Sequence, residues 1–115
     1  MALKDPNEIL DAMWEGIGKI REEAPEIYAA FLHTDQAAYV EGELDSKTKQ
    51  LIALGIALFT RCEYCMTLHT QLALKEGSNR DEIMEVIGVA TAFGGSPSMS
   101  YGVTTVMRAL EEFED

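Results

Sequence analysis

An all-α bundle of about six helices is the fold this chain of 115 residues predicts. Three observations carry that expectation. Apolar residues recur at helical spacing along most of the chain, while strand signals are weak everywhere. Helix starts and stops are marked by local chemistry, with proline or a capping side chain at the starts and glycine at the stops. The length suits one domain, residues 1–115, and no linker, low-complexity stretch or internal repeat divides it.

Each element follows from its own residues. Asp5-Pro6 opens the first helix as a cap followed by a proline that needs no N–H partner there. Ile9, Met13, Ile17 and Ile20 form its apolar stripe, and Ala24-Pro25 breaks it. Pro25 starts the second helix, which runs through Ile27, Tyr28, Phe31 and Leu32 towards Val40. Glu41-Gly42-Glu43 reads as a loop. Asp45 or Ser46 caps a third helix that is apolar almost all round from Leu51, which implies burial on every side, at the domain centre or at a subunit contact. Thr60-Arg61 is a short break. A fourth helix runs from Cys62 to Glu76 and stops at Gly77, a residue suited to a left-handed cap. Ser78-Asn79 restarts the chain, with Asp81 and Glu82 complementing a new helix N-terminus. Ile83, Ile87, Val89 and Phe93 make the fifth helix unusually apolar, and Gly94-Gly95-Ser96-Pro97 ends it. Tyr101, Val106, Leu110 and Phe113 set the last helix. Its acidic tail opposes the helix dipole, so the final residues are expected to fray. Trp14, Tyr28, Phe31 and Tyr39 fall at helical spacing and read as packing groups.

Charge and composition exclude several functions. Twenty acidic residues against nine basic ones leave a net charge of −11. A chain so acidic repels phosphate backbones and anionic lipid, which argues against nucleic-acid and membrane partners. The longest apolar run, Leu51 to Thr60, is about half a membrane span. The opening Met1-Ala2-Leu3-Lys4-Asp5-Pro6 lacks the apolar core of a secretory leader, so a cytoplasmic location is expected. Two helices are too apolar for a lone small bundle, which predicts a homo-oligomer.

The chemistry concentrates in Cys62-Glu63-Tyr64-Cys65-Met66-Thr67-Leu68-His69. On a helix, Cys62, Cys65 and His69 share one face. Two cysteines make no disulfide framework, and in a reducing compartment such a pair is catalytic or metal-binding. Cys62 falls near a helix N-terminus, where free N–H groups favour a thiolate, and Arg61 adds positive charge while Glu63 opposes it. His69 lies one turn beyond Cys65 and can take its proton, as in an activated nucleophile. The bland alternative is a pair of buried cysteines near a core histidine. A three-ligand zinc site is a further alternative, although no fourth ligand stands at useful spacing and His33 lies on another helix. Haem attachment is excluded, because Met66 and not histidine follows the second cysteine. Met66 lies between Cys65 and His69 and is a candidate pocket wall.

At these residues the chain resembles the carboxymuconolactone decarboxylase / AhpD-like alkylhydroperoxidase family. The resemblance covers roughly Asp45 to Gly95, through Lys49 to Ala57, Cys62 to Thr70, Ala73 to Gly77 and Asp81 to Val86. It implies an all-helical fold assembled as trimers or hexamers, and thiol redox activity towards peroxides or disulfides without an organic cofactor. Cys62 and Cys65 match the family's redox pair and His69 its relay histidine. Two positions depart. Gln50 stands where the relay has a glutamate, and glutamine accepts no proton. Tyr64 stands where the peroxidase has a second relay histidine. Glu41, Glu43 and Asp45 are candidate replacement carboxylates, although a solvated acidic loop is the simpler reading of them.

The expected function is therefore a thiol-dependent oxidoreductase. His69, directly or through water, takes the Cys65 proton; the Cys65 thiolate attacks a hydroperoxide and becomes a sulfenic acid; Cys62 attacks it and closes the Cys62–Cys65 disulfide; an external dithiol reductant reopens it by exchange at Cys62. Which thiol attacks first stays open, since the helix terminus favours Cys62 and His69 favours Cys65. Two rivals are a non-redox decarboxylase-type enzyme with His69 as general base, and an oligomeric redox-sensing module without turnover.

Overall fold

In the computed structural model, which describes residues 4–115, Asp5 accepts a hydrogen bond from the Asn7 N–H at 2.7 Å and Pro6 fills the first turn, so α1 spans Pro6–Glu23. Met1 to Leu3 of the stretch read against a leader lie outside the described residues. Pro25 starts α2 (Pro25–Tyr39) one residue beyond α1. Asp45 caps α3 (Ser46–Thr60) by accepting from the Thr48 N–H at 2.7 Å. Cys62 caps α4 (Glu63–Lys75). Asn79 and Glu82 form a reciprocal capping box at the head of α5 (Arg80–Gly94). The last rod is continuous but has three parts: α6 (Ser96–Tyr101), a π-helical turn over Gly102–Val106, and α7 (Met107–Phe113). The described residues contain six rods and no strand, as the sequence predicts.

Gly77 ends α4 as its lack of a side chain allows. At φ +98° it lets its own N–H reach the Leu74 carbonyl and the Ser78 N–H reach that of Ala73. The turn orients α5 so that Ile83, Ile87 and Ala90 point inward. They meet Leu54 and Leu58 of α3, Met66 of α4, and Val106 and Leu110 of the last rod in one core. Each large side chain buried there contributes roughly 1.5–3 kcal/mol. Polar ties fasten the edges: Lys47 pairs with Glu82 at 2.8 Å, and the Asn7 amide donates to Glu112 at 2.7 Å.

Several expectations are corrected. Ile9 and its neighbour Leu10 are buried in α1, but Ile20 is exposed. Trp14 and Phe31 are more than half exposed, so they are not packing groups within one chain. Within one chain α3 buries one face only, through Gln50, Ala53, Leu54, Ala57 and Leu58, and leaves Ile52, Ile56 and Phe59 outside, so it is not the all-round buried centre of the domain. Ser96 and Pro97 begin the last rod and do not merely end α5. The C-terminus is tied down, because Arg80 of α5 forms an ion pair with Glu114 through two nitrogens. No helix among the described residues is long and apolar enough to cross a membrane.

Candidate active site

The site begins with the turn that ends α3. Arg61 adopts the left-handed conformation, φ 62° and ψ 37°, and its N–H reaches the Leu58 carbonyl at 3.3 Å. A side chain in that region costs roughly 1–2 kcal/mol, so the surrounding turn must hold it. The next N–H, that of Cys62, closes on the Ala57 carbonyl at 3.1 Å. Cys62 is then the last residue tied to α3 and the first cap of α4. Its sulfur accepts from the Cys65 N–H at 3.3 Å, in the place that a serine or aspartate oxygen usually fills. Negative charge on the Cys62 sulfur would face the positive end of α4.

Cys65 lies one turn further in. Both cysteines are free thiols and partly buried. Burial pushes the Cys65 thiol up to about 11, and a hydrogen bond to the Cys62 side chain adds to the rise. Cys65 is thus held as a neutral thiol behind Cys62. Burial and the Cys62 side chain both work against a thiolate at Cys65, the direction opposite to the one a neighbouring histidine would give.

His69 is held from two other helices. Its Nδ1 lies 2.7 Å from Oε1 of Gln50, which is buried on α3. An amide oxygen only accepts, so Nδ1 carries the proton and Nε2 is the basic edge. Tyr39, the last residue of α2, stacks on the imidazole with ring centroids 5.6 Å apart and planes 27° apart. Burial lowers the imidazole's proton affinity, partly offset by the Asp35 carboxylate one turn before Tyr39. The Tyr39 phenol is pushed up by burial, by Asp35 and by Cys65. Tyr39 therefore stacks on His69 and is close enough to Cys65 for that thiol to act on its phenol.

The other candidates separate. Gln50 sits in the site, as an amide and not as a base. Tyr64 is exposed on the first turn of α4. Met66 is fully buried in the core, so it is no pocket wall. Asp45 is committed to capping α3, and Glu41 and Glu43 are exposed on the loop before it. Among the described residues no cluster of three His, Cys, Asp or Glu could hold a metal ion. A groove of about 630 Å³ between α3 and α5 is lined by Ile52, Ile56, Phe59, Val89 and Phe93 among others, and by neither cysteine nor His69. Sequence reasoning missed Tyr39 as a site residue. Its contact joins helices thirty positions apart, and nothing in its spacing separates it from the other aromatic residues.

An all-helical frame that presents a C-x-x-C-x-x-x-H helix defines a recognisable class of small helical protein. The chain belongs to the carboxymuconolactone decarboxylase family, whose model matches residues 25–111. It is 38% identical over 98 residues to an uncharacterised protein of the cox locus of Paracoccus denitrificans, covering 85% of this chain and 87% of that one. A carboxymuconolactone decarboxylase family protein from Legionella pneumophila has a similar structure, with TM-score 0.91, 35% identity, and 96% and 97% of the two chains covered. A family member from Thermotoga maritima, for which an antioxidative role has been suggested, follows with TM-score 0.75, 28% identity, and 91% and 93% covered.

Proposed function

We propose that this protein is a thiol-dependent oxidoreductase that reduces peroxides or disulfides through Cys62 and Cys65, with His69 as proton relay. The observation that carries the reading is the Cys62 sulfur at the head of α4, accepting from the Cys65 N–H with the neutral Cys65 thiol behind it. That arrangement suits Cys62 as attacking sulfur and Cys65 as resolving sulfur. The Cys62 thiolate attacks the outer oxygen of a hydroperoxide, the O–O bond breaks, and the departing alkoxide takes a proton to leave as an alcohol. Cys62 is then a sulfenic acid. Cys65 passes its proton through water to Nε2 of His69 and attacks the Cys62 sulfur. The S–O bond breaks, hydroxide takes the proton from His69 and leaves as water, and the disulfide closes. An external dithiol restores both thiols by exchange. The suggested antioxidative role of the Thermotoga maritima relative supports this reading. We also propose a homo-oligomer, with the trimer or hexamer implied by the family resemblance.

One observation favours the sensor as a second reading. The partner of His69 is an amide, and among the described residues no carboxylate is hydrogen-bonded to the ring to stabilise an imidazolium between turnovers. The test is to add hydroperoxide and follow free thiols, with and without a dithiol reductant. Turnover is expected in the native protein. Cys62→Ser should abolish it, and Cys65→Ser should stall at a sulfenic acid on Cys62 that a dimedone probe traps. Thiols that oxidise once and are not recycled would favour the sensor. Activity surviving loss of both cysteines but not of His69 would point to non-redox chemistry.

A further inference from the structure

An imidazole that relays a proton must present the right nitrogen in the right direction. The Gln50 hydrogen bond selects Nδ1 as the proton-bearing edge, but one hydrogen bond is a pivot about which the ring can still tilt. The second restraint is Tyr39. Its ring lies nearly parallel to the imidazole, 5.6 Å away between centroids, at the end of a helix that otherwise exposes most of its side chains. The α2 end that carries Tyr39 is itself fastened, because the Lys49 ammonium of α3 donates to the Val40 carbonyl. Gln50 therefore holds the ring at one edge and Tyr39 covers one face.

We propose that Tyr39 is the positioning residue of the relay: its ring face, with Gln50 as the second point of contact, holds His69 in the Nδ1–H form with Nε2 free for the thiol pair. This rests on the thiol reading above. Tyr39 needs no bond to substrate and exchanges no proton; the flat face of the ring carries the effect. Among the described residues, Asp35 and Tyr39 of α2 and the uncharged Gln50 of α3 act on His69, and Cys65, on the histidine's own helix, acts on Tyr39. Asp35 raises the imidazole's proton affinity and burial lowers it, and removing the Tyr39 ring would relieve burial alone.

The experiment reads the nitrogen chemical shifts of ¹⁵N-labelled histidine in the intact protein, with His33→Gln to leave His69 as the one labelled ring. In the native background the Nδ1–H form should dominate. Tyr39→Phe keeps a flat ring and should preserve it. Tyr39→Ala should move the tautomer balance towards Nε2–H, raise the His69 pKa towards its ordinary value, and slow hydroperoxide-driven disulfide closure by about tenfold with little change in KM. Tyr39→Leu keeps apolar bulk without a flat face and should shift the tautomer likewise, which covers the case of an alanine variant that does not fold. Unchanged nitrogen shifts in the alanine or leucine variant would overturn the proposal, as would a phenylalanine variant as impaired as alanine. The shifts report on Tyr39 even in a protein whose thiols ignore hydroperoxide, a result that would fail the redox reading instead.

Discussion

Gln50 is the residue on which the character of the site turns. An amide orients His69 much as a carboxylate would, yet it offers no charge to an imidazolium. Burial therefore dominates, and the folded protein holds His69 with a lowered proton affinity. Below the ordinary histidine value of about 6.5 the unfolded chain takes up a proton that the folded site resists, so stability should fall as pH drops from there to the lowered folded value. Gln50→Glu should reverse the sign. A paired carboxylate raises the folded value, so its contribution is fully present below about 6.5 and is lost as pH rises through the raised value. Urea midpoints measured from about pH 5 to pH 8 separate the two slopes. The same variant should move the pH optimum of thiol turnover upward, since a carboxylate stabilises the imidazolium. Equal slopes in the two proteins would mean that His69 does not titrate in the environment described.

Elements were legible wherever their boundaries depend on nearby residues. Asp5, Asp45, Asn79 and Gly77 act within a few positions of themselves, and the structure uses each as its chemistry suggests. The cysteine–histidine helix was legible for the same reason, since one turn of α-helix sets the spacing. What depends on distant contacts was not. The Tyr39–His69 stack joins α2 to α4, and the Arg80–Glu114 pair that fastens the acidic tail joins α5 to the C-terminus. The π turn at Gly102–Val106 has no local sign either, and the reason its first residue is glycine lies on α5, at Ile87. A Cβ on Gly102 would lie 2.6 Å from Cγ2 and 3.1 Å from Cγ1 of that isoleucine. Gly102→Ala should therefore cost about 1–3 kcal/mol through overpacking. Ile87→Ala alone should cost about 2–5 kcal/mol. The double variant should cost less than the sum, because alanine lacks both Cγ atoms that the new methyl would meet. Denaturant midpoints for the four proteins test this, and strict additivity would show that the glycine answers to something other than Ile87.

The whole molecule leaves many large apolar side chains bare. Ile52, Ile56 and Phe59 of α3 face the same groove as Val89 and Phe93 of α5, with Val89 72% and Phe93 84% exposed. Phe59 and Phe93 meet edge to face at 5.6 Å and form one end of this surface. The α1–α2 hairpin adds Trp14, Ile27 and Phe31, all outward. Contiguous apolar faces of this kind mark association surfaces, and charge alone would keep a chain of −11 apart. Sedimentation at micromolar concentration should therefore give a mass above that of one chain. Phe93→Glu and Val89→Glu together should lower that mass by placing charge within the apolar contact. Neither side chain enters the core, so secondary structure should persist, and in the dissociated chain the substitutions themselves should cost within about 0.5 kcal/mol. Part of the native melting temperature should nevertheless disappear, because assembly stabilises the folded state by mass action, and the native value alone should rise with protein concentration. A native protein that sediments as a single chain, with a melting temperature independent of concentration, would show that the α3/α5 face is not covered by another copy.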